Sequence, residues 1–192
     1  TNSIYSEKEV ASERTVIISE REGHENEPMF RLGETVQQTA FRVHPYHHEI
    51  IGDMADLHTI TRDDLYEHYR KYYVPNNAVL AIAGDFETKS MLKRVKELFG
   101  SIPKGATPPR LARPEPEPKG EVRLSIEGPG ETTFIQVAYH FPNATHPDYI
   151  PLQVLDSLLG GASGLSYKTS RLYRALVDGE YAVDVSGWSE ST

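Results

Sequence analysis

Apolar positions recur along this chain with two different periods, and the changes of period divide it into elements. Val10, Glu13, Ile17 and Glu20 return every three or four residues, which predicts a helix over residues 4 to 20 that breaks at Gly23 and Asn26-Glu27-Pro28. Phe30, Val36, Ala40 and Phe41 predict a second helix over residues 29 to 42, and HPYHHEIIG reads as a loop. Thr61 places a hydroxyl ahead of Asp63 and Asp64, so a helix opens there and runs through Leu65, Tyr69, Tyr72 and Tyr73 until Pro75 stops it. Residues 87 to 99 give an amphipathic helix with Met91, Leu92, Val95, Leu98 and Phe99 on one side. Residues 147 to 159 and 170 to 177 read as two further helices, with Gly160-Gly161-Ala162 as a loop between them.

The other period is two. AVLAIAGDF is apolar through its first six residues and predicts a buried strand. EVRLSIEG and TTFIQVAYHF alternate around Gly128-Pro129-Gly130 and predict two strands, and residues 181 to 188 predict a last one. Six prolines fall within residues 103 to 118, the mark of an extended linker that wraps a surface or joins two domains. Mixed helices and strands cut by a linker predict an α+β chain.

The first helix poses a chemical question. Seven residues is nearly two turns, so Glu13, Val16, Ile17 and Glu20 share one face. An ionised carboxylate on a buried face needs a cation, a metal or good donors, whereas at the margin it reaches water unaided.

Composition narrows the answer. At 192 residues the chain can bury a core, and it holds no apolar run long enough to span a membrane. It starts without a leader or a methionine, as expected of a piece whose targeting information lies elsewhere; the expectation is a soluble protein of undetermined compartment. Zero cysteines exclude disulfides, thiolate metal sites and a cysteine nucleophile, so any metal must be held by His and carboxylates. A formal charge of −8 argues against nucleic acid as a partner. Eight Glu against four Lys and Arg in the first forty residues would attract cations or basic peptides, or form a solvated face.

ERTVIISE, ENEP, HPY, LHTITRDDLYEHYRKYYVPNNAVLAIAGDF, HPDYIPLQVLDSLLGG and SRLYRAL, in this order, resemble the insulinase/pitrilysin (inverzincin) zinc metallopeptidases, especially those built like mitochondrial processing peptidase. The resemblance implies parts of two successive peptidase-type α/β rolls, each a mixed, largely antiparallel sheet with helices packed on it. Residues 1 to 104 would be the later part of the first, catalytic-type roll, residues 105 to 119 a Pro-rich linker, and residues 120 to 192 the early part of the second roll. It also implies a metalloendopeptidase that hydrolyses peptide bonds by metal-activated water in a chamber between rolls. The partners implied are a peptide or protein substrate and a homo- or heterodimer of rolls.

By the same resemblance Glu20 is the third zinc ligand, and Glu13 is the nearby acid that supports the site by orienting a histidine. The two lie about 10 Å apart along a helix axis, so one can coordinate while the other acts from behind. The His-x-x-Glu-His helix that supplies two ligands and the general base is absent from these 192 residues. The chain therefore reads as an inactive fragment of a Zn2+ peptidase that holds no zinc tightly by itself. The Arg and Tyr with which many members bind substrate fall on Val177 and Val183 here, with Arg171 and Arg174 nearby but out of register. That departure keeps open a non-catalytic homologue acting as partner subunit or scaffold.

Two local patterns compete. His44 and His48 stand four apart like helical zinc ligands, but Pro45 and Tyr46 between them favour a loop anchored by Tyr46. Gly160-Gly161-Ala162-Ser163-Gly164 lacks the ending of a phosphate loop, and no apolar strand leads into it.

Overall fold

The computed structural model describes residues 2 to 110, 113 to 161 and 167 to 189. The chain divides into two compact units, Thr1–Gln136 and Val137–Thr192. No helix among the described residues is long and apolar enough to cross a membrane.

The first unit contains α1 (Glu7–Glu25), α2 (Pro28–Ala40), α3 (Met54–Thr59), α4 (Arg62–Tyr72) and α5 (Thr88–Phe99). Each start is set locally. Ser6 Oγ accepts the Glu9 amide at 3.4 Å, with Glu7 and Glu9 in the first turn of α1, and Pro28 opens α2 where a missing N–H costs nothing. Thr61 and Asp64 form a reciprocal capping box at α4, as the Thr-x-x-Asp spacing predicts. Residues 54 to 59 form a helix that the sequence pattern does not announce, since six residues are too few to display a period.

The inward stripe of α1 is Val10, Arg14, Ile17, Ile18, Arg21, His24 and Glu25, all buried or half-buried, whereas its other residues are exposed. This stripe is rotated about one residue from the one drawn through Glu13, Val16 and Glu20. Beside it, Tyr5 packs on Tyr69 and Tyr66 at 5.4 and 6.1 Å between ring centres, and Tyr69 on Tyr73 at 5.5 Å. Arg62 closes this cluster: its guanidinium lies 4.3 Å from the Tyr66 ring and donates to the carbonyl oxygens of Tyr5 and Ile4 at 2.8 and 2.6 Å.

The Pro-rich segment is strapped to this unit at two points. Glu115 accepts three backbone amides, those of Arg42, Val43 and His44, each at 2.8 Å. Gly105 donates its amide to Asn76 Oδ1 at 2.9 Å and lies so close to Val74 that a Cβ there would meet its Cγ1 at 2.3 Å. These contacts lay the described part of the segment against the first unit.

The second unit is organised around α6 (Tyr149–Leu159) and a π-helical turn, Tyr173–Val177. Tyr149 is buried edge-on against Phe141 at 5.5 Å and accepts from Gln153 at 3.0 Å. Gly160, at the end of α6, touches Gly187 so closely that a Cβ on Gly160 would meet the Gly187 amide nitrogen at 2.5 Å.

The expected α+β class is corrected: among the described residues there is no strand, and every regular element is helical. The segments read as strands keep their apolar pattern but form no strand ladder among the described residues. Among the described residues, hydrogen bonds from backbone to backbone outside the helices span at most six residues, from Ala182 to Leu176. A helix closes its bonds within four residues, whereas a strand needs a distant one in register. Their side chains are accordingly open to solvent, Val79 at 97%, Ile135 at 83% and Val183 at 92% exposure.

Candidate functional site

The candidate site begins on α1, because that single helix carries both glutamates at a spacing of seven. Both are exposed, and among the described residues neither makes a hydrogen bond or ion pair. Val16, between them, is also exposed. The two carboxylates therefore share a solvent-facing side of the helix, which resolves the cost of putting them beside Val16: they are not buried.

The opposite, inward side of α1 carries a pair of arginines. Arg21, next to Glu20, is 5% exposed and donates from Nε to Glu25 at 2.9 Å and from Nη2 to Glu34 of α2 at 2.6 Å. Its guanidinium also lies 5.0 Å from the Phe30 ring. Burial opposes its charge, but the hydrogen bonds and attraction of Glu34 and Glu25 outweigh that and raise its pKa above the usual arginine value. Arg14, next to Glu13, donates to the carbonyl oxygen of Ile60, the residue that caps the C-terminus of α3. Arg14, Arg21, Glu34 and Glu115 were not singled out by sequence reasoning. The signal available for two of them is the Glu-Arg pair that occurs at 13–14 and again at 20–21.

Past Glu20, the acids Glu22, Glu25 and Glu34 line an open cleft of about 580 Å³ with Asn26, Arg31, Thr35 and Ile126. Glu13 and Glu20 are not part of it. A catalytic zinc takes three protein ligands and a water. Among the described residues no three His, Asp or Glu side chains converge in a way that could hold a metal. Glu20 is an exposed carboxylate on α1 and belongs to no such group among the described residues.

The histidine-rich loop is built differently. Pro45–His47 is a 3₁₀ turn, Tyr46 packs edge-on against Phe41 at 5.3 Å, and Gln37 donates to the Tyr46 carbonyl at 2.7 Å. His47 Nδ1 bonds the carbonyl oxygens of Phe41 at 2.7 Å and Gln38 at 3.1 Å, so it serves the C-terminus of α2. In the second unit Val177 ends the π-helical turn half-buried, and Val183 is fully open. Arg171 and Arg174 are exposed around the same turn. Residues 162 to 164 of the glycine-rich loop lie outside the described residues.

Comparison with known proteins bears on all of this. The peptidase M16 inactive domain family matches residues 59–192, a region that begins after α1 and so excludes Glu13 and Glu20. A Helicobacter pylori protein named zinc protease PqqE is 30% identical over 90% of this chain and 38% of its own length. A probable mitochondrial-processing peptidase subunit beta from Arabidopsis thaliana is 28% identical over 83% of the chain and 30% of its own. The chain thus spans well under half the length of these relatives. Among solved structures, a protease from Helicobacter pylori superposes with a TM-score of 0.75 and 28% identity, covering 92% of this chain and 42% of that one. A peptidase M16 inactive domain from Pseudomonas fluorescens does so with a TM-score of 0.65 over 90% of this chain and 40% of that one, at 20% identity, a likeness of fold alone.

Proposed function

From the premise that the chain belongs to the insulinase/pitrilysin family, peptidase M16, we propose that it is a non-catalytic stretch of a zinc metalloendopeptidase which contributes one metal ligand, Glu20, to a site completed by histidines held elsewhere. The observation that carries this reading is the state of α1: an exposed, unpartnered Glu20 with an equally free Glu13 one heptad before it on the same face. The relatives named zinc proteases support the metal. Residues 1 to 104 would belong to the catalytic-type part of the whole protein and residues 120 to 192 to the part that follows it, joined by the Pro-rich segment. Peptide or protein would be the substrate, and pairing with a second copy or a related subunit would enclose it.

Glu20 would bind the ion and Glu13 would hold a histidine ring in orientation. Zinc bound there would supply a Lewis acid that activates water toward a peptide carbonyl. The helix contributes rigidity: both acids ride on one continuous element, so their separation is fixed at about 10 Å.

The test supplies what the chain lacks. Alone, it should bind no stoichiometric zinc; mixed with a polypeptide carrying a His-x-x-Glu-His helix from a relative, it should retain one equivalent and cleave peptide. Glu20→Gln should abolish both, and Glu13→Gln should weaken zinc by about 10- to 100-fold, as loss of a group orienting a ligand does. Full zinc retention by Glu20→Gln in the mixture would sink the reading. A second reading, a partner subunit without chemistry, is favoured by Val177 and Val183 standing where the family's substrate-binding Arg and Tyr are expected. It predicts association with the mixture's other half but no hydrolysis.

A further inference from the structure

We infer that Arg14 and Arg21 are positioning residues, a pair of directional anchors that fix the roll of α1 about its own axis and thereby aim Glu13 and Glu20. For its catalytic consequence this rests on the reading of Glu20 as a ligand; the geometric claim stands apart from it.

Each acid is followed directly by an arginine on the inward side: Glu13 by Arg14, Glu20 by Arg21. The arginines are themselves seven residues apart, so they share one face and bracket about 10 Å of helix. Between them α1 presents only Ile17 and Ile18 to its neighbours. Aliphatic contact is non-directional, and a helix seated on two isoleucines can roll with little loss of burial. A guanidinium fork cannot follow such a roll, because its hydrogen bonds fail steeply with angle. One anchor engages the end of α3 through the Ile60 carbonyl, the other engages α2 through Glu34, and Phe30 lies against the second guanidinium.

The arginines are poor choices for stability alone. Arg14 Nε and Arg21 Nη1 are buried without a partner, and a desolvated ion pair is often no better than apolar packing. Directional registry is what they add. The registry matters because a roll of one residue, about 100°, carries a side-chain tip roughly 8 Å on a helix about 11 Å across, and a misplacement of about 1 Å can already cost a hundredfold in rate.

The chain has no cysteine, which makes site-directed spin labelling clean. Nitroxides are placed by Glu20→Cys and Glu67→Cys, both exposed and both in the first unit, and the distance between them is measured by electron double resonance. A single narrow distance is expected. Arg21→Met and the double variant Arg14→Met/Arg21→Met should shift or broaden it by several ångströms while helical circular dichroism is retained, and Arg21→Lys should restore part of the narrow distribution. An unchanged distribution in the double variant overturns the inference. Should that variant lose its helical signal, Glu34→Gln, which weakens one anchor and keeps the arginine, takes its place: broadening supports the inference and an unchanged distance overturns it. No metal enters this measurement, so the inference fails here and the ligand reading fails in the zinc arm with Glu20→Gln, each without the other.

Discussion

Asp64 shows a single side chain deciding where a helix starts. Its carboxylate accepts from the Thr61 backbone at 2.8 Å and from the Thr61 hydroxyl, and these bonds hold its pKa below the ordinary 3.8. A depressed folded-state pKa contributes stability that is complete above the unfolded value and is lost as pH falls through the folded one. The start of α4 should therefore weaken in acid below the ordinary carboxyl range, and Asp64→Asn should lower the melting temperature at pH 7 while flattening that acid limb. A variant with the parent's acid limb, measured by thermal unfolding between about pH 2 and 7, would refute the assignment. This cap was legible because all its parts lie within four residues. The inward role of Arg14 and Arg21 was not: a pattern search counts arginine as polar and places it outside, so the expected apolar stripe passes through Val16, which is exposed. The sequence did show the two glutamates sharing a face; it did not show that this face looks outward, because exposure depends on what α2 and α3 bring to the opposite side.

Elements held by local bonds were legible to within a few residues. The helix expected over residues 87 to 99 is α5 (Thr88–Phe99), and that over 147 to 159 is α6 (Tyr149–Leu159). The strands were not, since alternation describes the faces a strand would have and says nothing of a neighbour to bond. The Pro-rich segment lies between these cases: its extended form follows from proline, while its docking depends on contacts 29 and 71 to 73 residues away in sequence. Gly105 makes that docking testable. A methyl group there would collide with Val74 Cγ1 and Cβ, atoms of a branched side chain with little freedom to move. Gly105→Ala should cost about 1–3 kcal/mol or release the strap, seen as a lower melting temperature and faster tryptic cleavage after Arg110. Adding Val74→Ala should recover much of the loss. An unaltered Gly105→Ala protein would show that the segment is not seated as described.

For the whole molecule the decisive quantity is surface. The chain exposes 15719 Å², whereas a self-sufficient folded monomer of its mass exposes about 9,200 Å². Among the described residues Tyr69 and Tyr149 are the only large apolar side chains that are buried, and each keeps a little exposure. The apolar side of α5 is open at Leu92, Leu98 and Phe99, and residues 122 to 139 expose Val122, Phe134, Ile135, Val137 and Tyr139. Exposed apolar surface contributes roughly 25 cal/mol per Å² when covered, and an isolated soluble protein tolerates a contiguous patch of only a few hundred Å². Association is the expected outcome, and it fits a chain that spans under half of its relatives. Sedimentation should show dimers or larger species whose proportion rises with concentration, together with strong binding of a hydrophobic dye. Replacing Ile135 and Val137 by Lys should shift the equilibrium toward monomer, because a charge in an apolar contact must be desolvated. A strictly monomeric protein that binds no dye would mean that these side chains are covered within the chain itself, and would refute the prediction.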